Sequence, residues 1–232
     1  MIKLYTWCTQ NARKISIMLE ECGADYELVP VNLIKDEQKS AEFLKLNPNG
    51  KIPALLDTAP IDPEMLDTPV FETGSMLLYL AERYNCFLPK QANRRTTAIN
   101  WLFWQCSGLG PTLGNFSHFA SAMVEDKTKL NEYLVKTRSP QKEMYSIQRF
   151  SQEALRLFSV LNTQLEERDY IAEEISIADF AAYPWIETVW SNFKMIAPAP
   201  MSKMNNIEAW LERMSAREGV KVGMEKLAYG KW

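Results

Sequence analysis

The chain has 232 residues, 47 % of them hydrophobic and 24 % charged, with a net charge of -3. That is an ordinary globular composition, long enough for one large domain or two small ones. It excludes the basic excess of a nucleic-acid binder, since the longest basic run is Arg94-Arg95. No apolar stretch is long enough to span a bilayer, and the N-terminus lacks a basic region followed by an apolar run. The four cysteines (Cys8, Cys22, Cys86, Cys106) show no metal-ligand spacing, and His118 is the one histidine. No metal site is expected from such a set. Reduced thiols in a cytoplasmic protein are the expectation.

Ile2 to Trp7 alternates as a strand, with Ile2, Leu4 and Thr6 on one side. Thr9-Gln10-Asn11 supplies two N-cap residue types, and Ile15, Met18, Leu19 and Cys22 follow at helical spacing up to Gly23. Tyr26 to Leu33 reads as a second strand. Ser40 caps a short helix stopped by Pro48 and Gly50. A strand begins at Lys51, and Thr58 to Pro69, with three prolines, reads as a loop. Val70 to Glu72 is a brief strand. Thr73 or Gly74 opens a helix with Met76, Leu77, Leu80 and Tyr84 on its apolar face. The order β-α-β-α-β-β-α predicts a small α/β domain over residues 1–85.

Asn85 to Asn93 marks the expected boundary, and no strand pattern follows. Arg95 to Gly108 is a helix that Pro111 and nearby glycines are expected to interrupt. Tyr145 to Glu167 is a long helix, Ser176-Ile-Ala-Asp179 starts another, and Ile207 to Met214 another. The prediction is an all-α domain over 94–220 and a tail over 221–232. Asp179 reads as a cap partner of Ser176, and His118, beside Phe116 and Phe119, as a packed or half-exposed ring.

Thr9-Gln10-Asn11 lies between strand and helix, where backbone N–H groups and the helix dipole favour an anion. A thiolate there would be stabilised. Thr9 and Asn11 either add hydrogen bonds to such a sulfur or merely cap the helix. Cys8 is a rival, because Trp7-Cys8-Thr9-Gln10-Asn11 echoes the W-C-x-x-C pattern with Asn11 in place of the second cysteine. One thiol still permits mixed-disulfide chemistry. Cys22, Cys86 and Cys106 read as core residues.

Asn47-Pro48-Asn49-Gly50-Lys51-Ile52-Pro53-Ala54-Leu55 and Phe71-Glu72-Thr73-Gly74-Ser75-Met76-Leu77-Leu78-Tyr79-Leu80 closely resemble the glutathione transferase family. Trp101 to Gln105, Gly108 to Gly114, Ser176 to Phe180 and Pro184-Trp185 extend the resemblance over essentially the whole chain, most like the nu class of disulfide-bond reductases. The resemblance implies a thioredoxin-like N-terminal domain followed by a helical glutathione-transferase C-terminal domain, a homodimer, and a site between the domains. It implies a cis bond before Pro53, which presents the Ile52 backbone to the cysteinyl part of glutathione. Glu72 and Thr73 would hold the γ-glutamyl end; Gln38 and Lys51 would lie along the glycyl side. Arg149 would reach a second glutathione, across a dimer interface in one arrangement. Thr9 and Asn11 match the nu-class residues that face the sulfur. Most family members have serine where Thr73 stands, and nu members often have Thr-Pro-Asn where this chain has Thr9-Gln10-Asn11. The implied activity is glutathione-dependent disulfide reduction, with weak transferase or peroxidase activity. Glutathione or its disulfide is the co-substrate, a small disulfide or electrophile the second substrate. The alternatives are a Cys8-based thiol transferase and a non-enzymatic binding module.

Overall fold

A computed structural model describes residues 1–60, 67–125, 135–136 and 143–228. Strands β1 (Ile2–Thr6), β2 (Tyr26–Pro30), β3 (Ala54–Asp57) and β4 (Thr68–Val70) form one sheet in the order β2-β1-β3-β4. β1 and β2 are parallel, joined through helix α1 (Gln10–Glu21); β1–β3 and β3–β4 are antiparallel. With α2 (Ala41–Leu46) and α3 (Thr73–Tyr84), this is the thioredoxin-like domain expected. The alternation in β1 is as predicted, with Ile2, Leu4 and Thr6 all buried.

Several strand ends differ from expectation. β2 stops at Pro30, because Asn32 Oδ1 accepts the N–H groups of Ile34 and Lys35 and turns the chain. β3 begins after Pro53, at Ala54. β4 ends at Val70, and Glu72 beyond it takes a left-handed backbone (φ 65°) that cannot continue a strand. Thr68 and Pro69, expected in the loop, form part of this edge strand, where a proline costs no ladder bond. Residues 61–66 of that loop lie outside the described residues.

From Ala92 on, the described residues form helices: α4 (Ala92–Trp104), α5 (Gly110–Ser121), α6 (Met144–Gln164), α7 (Ile177–Ile196), α8 (Asn205–Ser215) and α9 (Glu218–Lys226), with a single turn at Pro198–Met201. Pro111 does not interrupt the path from α4 to α5. A π turn over Gln105–Leu109 closes on a Gly110 N–H bond to the Gln105 carbonyl, and Pro111 falls in the first turn of α5. At that place a missing N–H is tolerated. α7 opens on the capping box read from Ser176 and Asp179. Asp179 is fully buried and accepts from the Ile171 and Ser176 N–H groups and the Trp210 indole. Burial pushes its carboxyl up to about 6.

α1 joins the two parts. It packs against α3 of the N-terminal part and against α7 and α9 of the C-terminal part. Residues 12 to 19 are all buried, far beyond the single apolar stripe read from the sequence. Its polar side chains in this stretch bond outward: Ser16 Oγ donates to the Gly223 carbonyl at 2.7 Å, and Arg13 to the Leu227 carbonyl at 3.3 Å. Glu21 pairs with Arg217 through two bonds of 3.0 and 2.5 Å. Residues 221 to 226, expected in a tail, thus belong to a helix laid on α1.

Gly223 sets how closely that helix can lie. A Cβ there would stand 2.6 Å from the Ile17 Cα. Alanine is the better helix former by about 1 kcal/mol. The clash is with backbone atoms that cannot give easily, so overpacking here costs about 2–3 kcal/mol, and it lengthens the Ser16 bond. Gly223→Ala is therefore expected to lower stability by about 1–2 kcal/mol, read as a lower midpoint in urea unfolding. An unchanged or raised midpoint would mean that α9 does not rest on α1 in this way.

Candidate active site

Two helix N-termini meet beside α1. The first is that of α1 itself. Thr9 is its N-cap, with Oγ1 accepting the Ala12 N–H at 3.2 Å. The Thr9 hydroxyl hydrogen is not needed for that bond and is left to donate. Asn11 lies in the first turn, where backbone N–H groups lack intrahelical partners. Its side-chain Oδ1 accepts a 3.0 Å bond from the indole N–H of Trp185 on α7. An indole N–H can only donate. The Asn11 oxygen must therefore face Trp185, and the amide N–H groups face away from it.

The second N-terminus is that of α3. Glu72, its N-cap, is exposed and makes no side-chain cap bond; its φ of 65° and ψ of 118° are strained for a residue with a side chain. Thr73 is the first residue of the helix. Lys14 of α1 reaches it: the ammonium donates to Thr73 Oγ1 at 3.2 Å and to Gln105 Oε1 at 2.8 Å. Lys14 is only 2 % exposed. Burial pushes its pKa down to about 8, against the favourable pull of Cys106 and Glu72. Since Lys14 can only donate, Thr73 must use a lone pair for it, and the Thr73 hydroxyl in turn hydrogen-bonds to Cys106. Cys106 lies beside Thr73 and Gly74; burial pushes its thiol up and the Lys14 charge draws it back. Local pattern does not mark these roles: Lys14 follows Arg13 in a mixed polar and apolar stretch, and Trp185, though part of the resemblance, is 174 residues from its partner.

The remaining expected residues fall at a third place. Ile52–Pro53 is a cis peptide bond. The loop before it is held by Asn47, whose amide donates to the Lys51 carbonyl at 2.7 Å, and by Lys39 donating to the Gly50 carbonyl at 3.1 Å. Gly50 needs its φ of 60° and the space around it, since a Cβ would meet Lys39 Nζ at 2.8 Å. Lys51 is exposed, and Gln38 is 9 % exposed with Oε1 buried and unpartnered among the described residues. Arg149 stands apart, exposed on α6, where its charge acts on Glu153 one turn along. His118 is half-buried with its ring edge-on to Phe119, centroids 5.0 Å apart.

Cys8 faces the other way from Thr9. It is 7 % exposed, and its Sγ donates to the Ala228 carbonyl at 3.4 Å. Burial raises its thiol pKa, with Arg13 offsetting only part. These surroundings oppose a thiolate, so the Cys8-based thiol transferase finds no support in the geometry.

The buried ammonium gives a pH test. Folded, Lys14 titrates near 8; unfolded, near 10.4. Between those values the unfolded chain binds more protons, so stability rises with pH there. Measured against Lys14→Met, the wild type is expected to gain up to about 3 kcal/mol from pH 7.5 to 10.5. A difference that stays flat over this window would show that the ammonium is not buried.

Family models match both parts of the chain: "Glutathione S-transferase, N-terminal domain" over residues 1–82 and "Glutathione S-transferase, C-terminal domain" over 122–218. The chain is 37 % identical over 232 residues to the disulfide-bond oxidoreductase YfcG of Escherichia coli (strain K12), covering 99 % of this chain and 97 % of that one. It is 34 % identical to the disulfide-bond oxidoreductase YghU of the same organism, covering 96 % and 73 %. Among solved structures, a glutathione transferase from Burkholderia graminis with two glutathione molecules per subunit superposes with a TM-score of 0.84 at 32 % identity, covering 99 % and 89 %. One from Pseudomonas putida with one glutathione disulfide per subunit gives 0.83 at 31 %, covering 97 % and 90 %. With both domain models matched and relatives of this identity over nearly its full length, the chain belongs to the glutathione transferase family.

Proposed function

We propose that this protein is a glutathione-dependent disulfide reductase of the nu-class type, acting as a homodimer in the cytoplasm. One observation carries the reading: the Asn11 amide is oriented by Trp185 at the N-terminus of α1, with its donors turned from the indole. The names of YfcG and YghU, and the glutathione or glutathione disulfide bound in the superposed structures, support the substrate class.

In this reading glutathione binds in an extended form along the three places described. Glu72 meets its ammonium, and Thr73 with the N-terminus of α3 meets the γ-glutamyl carboxylate. Lys14 acts as a positioning residue, holding the Thr73 oxygen at the start of α3. The Ile52 backbone, next to Pro53, pairs with the cysteinyl unit; Gln38 and Lys51 line the glycyl end. Thr9 and Asn11 then donate to the sulfur and favour its thiolate. The thiolate attacks one sulfur of a disulfide, expelling the other as a thiolate that takes up a proton. A second glutathione, reached by Arg149, attacks the mixed disulfide, giving glutathione disulfide and the second free thiol. The protein holds and stabilises the charge and is not itself modified. The same thiolate would conjugate electrophiles at lower rates. Exposed Phe71 and Phe103, the latter 62 % accessible, provide apolar surface for a second copy.

The assay is turnover of a small disulfide with glutathione, coupled to reduction of the glutathione disulfide formed. Asn11→Ala is expected to lower the rate about ten- to a hundredfold, or about 1.4–2.7 kcal/mol of transition-state stabilisation. Cys8→Ala is expected to keep most of it. A dead Cys8→Ala beside a near-normal Asn11→Ala would place the reacting thiolate on the protein and overturn the reading.

A further inference from the structure

Cys22 and Cys86 lie away from the two helix N-termini. Cys22 is the C-cap residue of α1, its N–H bonded to the Met18 carbonyl, where Gly23 (φ 60°) ends the helix. Cys86 follows the left-handed Asn85 at the end of α3, its N–H bonded to the Ala81 carbonyl. α1 and α3 pack side by side, so their ends bring together two cysteines 64 residues apart. Their sulfurs stand 3.1 Å from each other, and both residues are half-buried. Closing that gap to a disulfide bond of about 2.05 Å requires only about 1 Å of movement. Each sulfur's neighbour is therefore a second thiol. Cys8 is turned to Ala228 and Cys106 to Gly74, so neither competes.

We propose that Cys22 and Cys86 form a second thiol site, a dithiol that is oxidised by glutathione disulfide to an intramolecular disulfide. It goes beyond the proposed reductase activity and needs none of its residues.

Either thiol can open the exchange, since the two sulfurs face each other and both residues are half-buried; with Cys86 as the attacking group it runs in two steps. The deprotonated Cys86 sulfur bonds to one sulfur of glutathione disulfide; the S–S bond breaks, and one glutathione leaves as thiolate and takes the proton Cys86 released. The Cys22 sulfur, losing its proton, then bonds to the Cys86 sulfur. The mixed disulfide breaks and the second glutathione leaves with that proton. Two electrons pass from the protein dithiol to glutathione disulfide, giving one protein disulfide and two glutathione thiols. The new bond ties the C-terminal end of α1 to the segment that leads from α3 to α4.

The full-length protein is equilibrated in glutathione buffers of falling thiol-to-disulfide ratio, quenched with acid and alkylated, and its mass and peptides are mapped. The expected result is loss of two hydrogens, a Cys22–Cys86 crosslinked peptide, and alkylated Cys8 and Cys106. The ratio of crosslinked to dithiol protein should scale with the glutathione disulfide concentration divided by the square of the glutathione concentration, as a two-thiol exchange requires. Cys22→Ser is expected to stop at one glutathione on Cys86 with no crosslink. Three results would overturn the proposal: both cysteines still alkylatable in the folded protein under excess glutathione disulfide, separate glutathione adducts on both, or a crosslink to Cys8 or Cys106.

Discussion

Helix α1 is covered on every side, and that constraint organises the molecule. A helix buried along residues 12 to 19 and packed by three other helices cannot leave a polar side chain without a partner, because an unpaired buried polar group costs about 1–3 kcal/mol and a charge more. Each polar residue of α1 is accordingly a fixed joint. Arg13 and Ser16 hold α9 through its carbonyls, Lys14 holds the start of α3, and Asn11 is held by α7. The helix thereby sets the relative position of the N-terminal and C-terminal elements.

The same joints shape the site. Two of the donors that lock it, the Trp185 indole and the Lys14 ammonium, have no acceptor capacity. The Asn11 oxygen must face Trp185, and a Thr73 lone pair must face Lys14. The Asn11 hydrogens then point away from the indole without any ligand present, which is preorganisation in the sense that matters for stabilising a developing anion. The reading of these groups as sulfur and carboxylate ligands of glutathione remains the proposal made above, and it draws its strength from this fixed polarity.

Much of this was legible in the sequence wherever the signal is local. The alternation of β1, the cap residues at Thr9 and the Ser176–Asp179 box depend on near neighbours, and the structure places them as expected. What was hidden depends on distant ones. Lys14 looks like a surface residue until α3 and the π turn close over it. Trp185 looks like core. Pro111 looks like a breaker, because a π turn leaves no mark in composition. The helix after residue 217 shows itself only through its packing on α1, the Gly223 contact with Ile17 and the Ser16 bond among them. Cys22 and Cys86 each look like solitary core residues, and only the packing of α1 on α3 makes them a pair.

The central claim is that Trp185 orients the Asn11 amide so that it stabilises a bound thiolate. The most direct measurement is the ultraviolet thiolate absorbance of glutathione saturating the protein, titrated with pH in the wild type and in Trp185→Phe, which keeps an aromatic ring and removes only the indole donor. The account predicts that bound glutathione titrates below the ordinary thiol value near 8.5 in the wild type, and moves back toward that value in Trp185→Phe. Identical titrations in the two proteins, or no depression in the wild type, would contradict it.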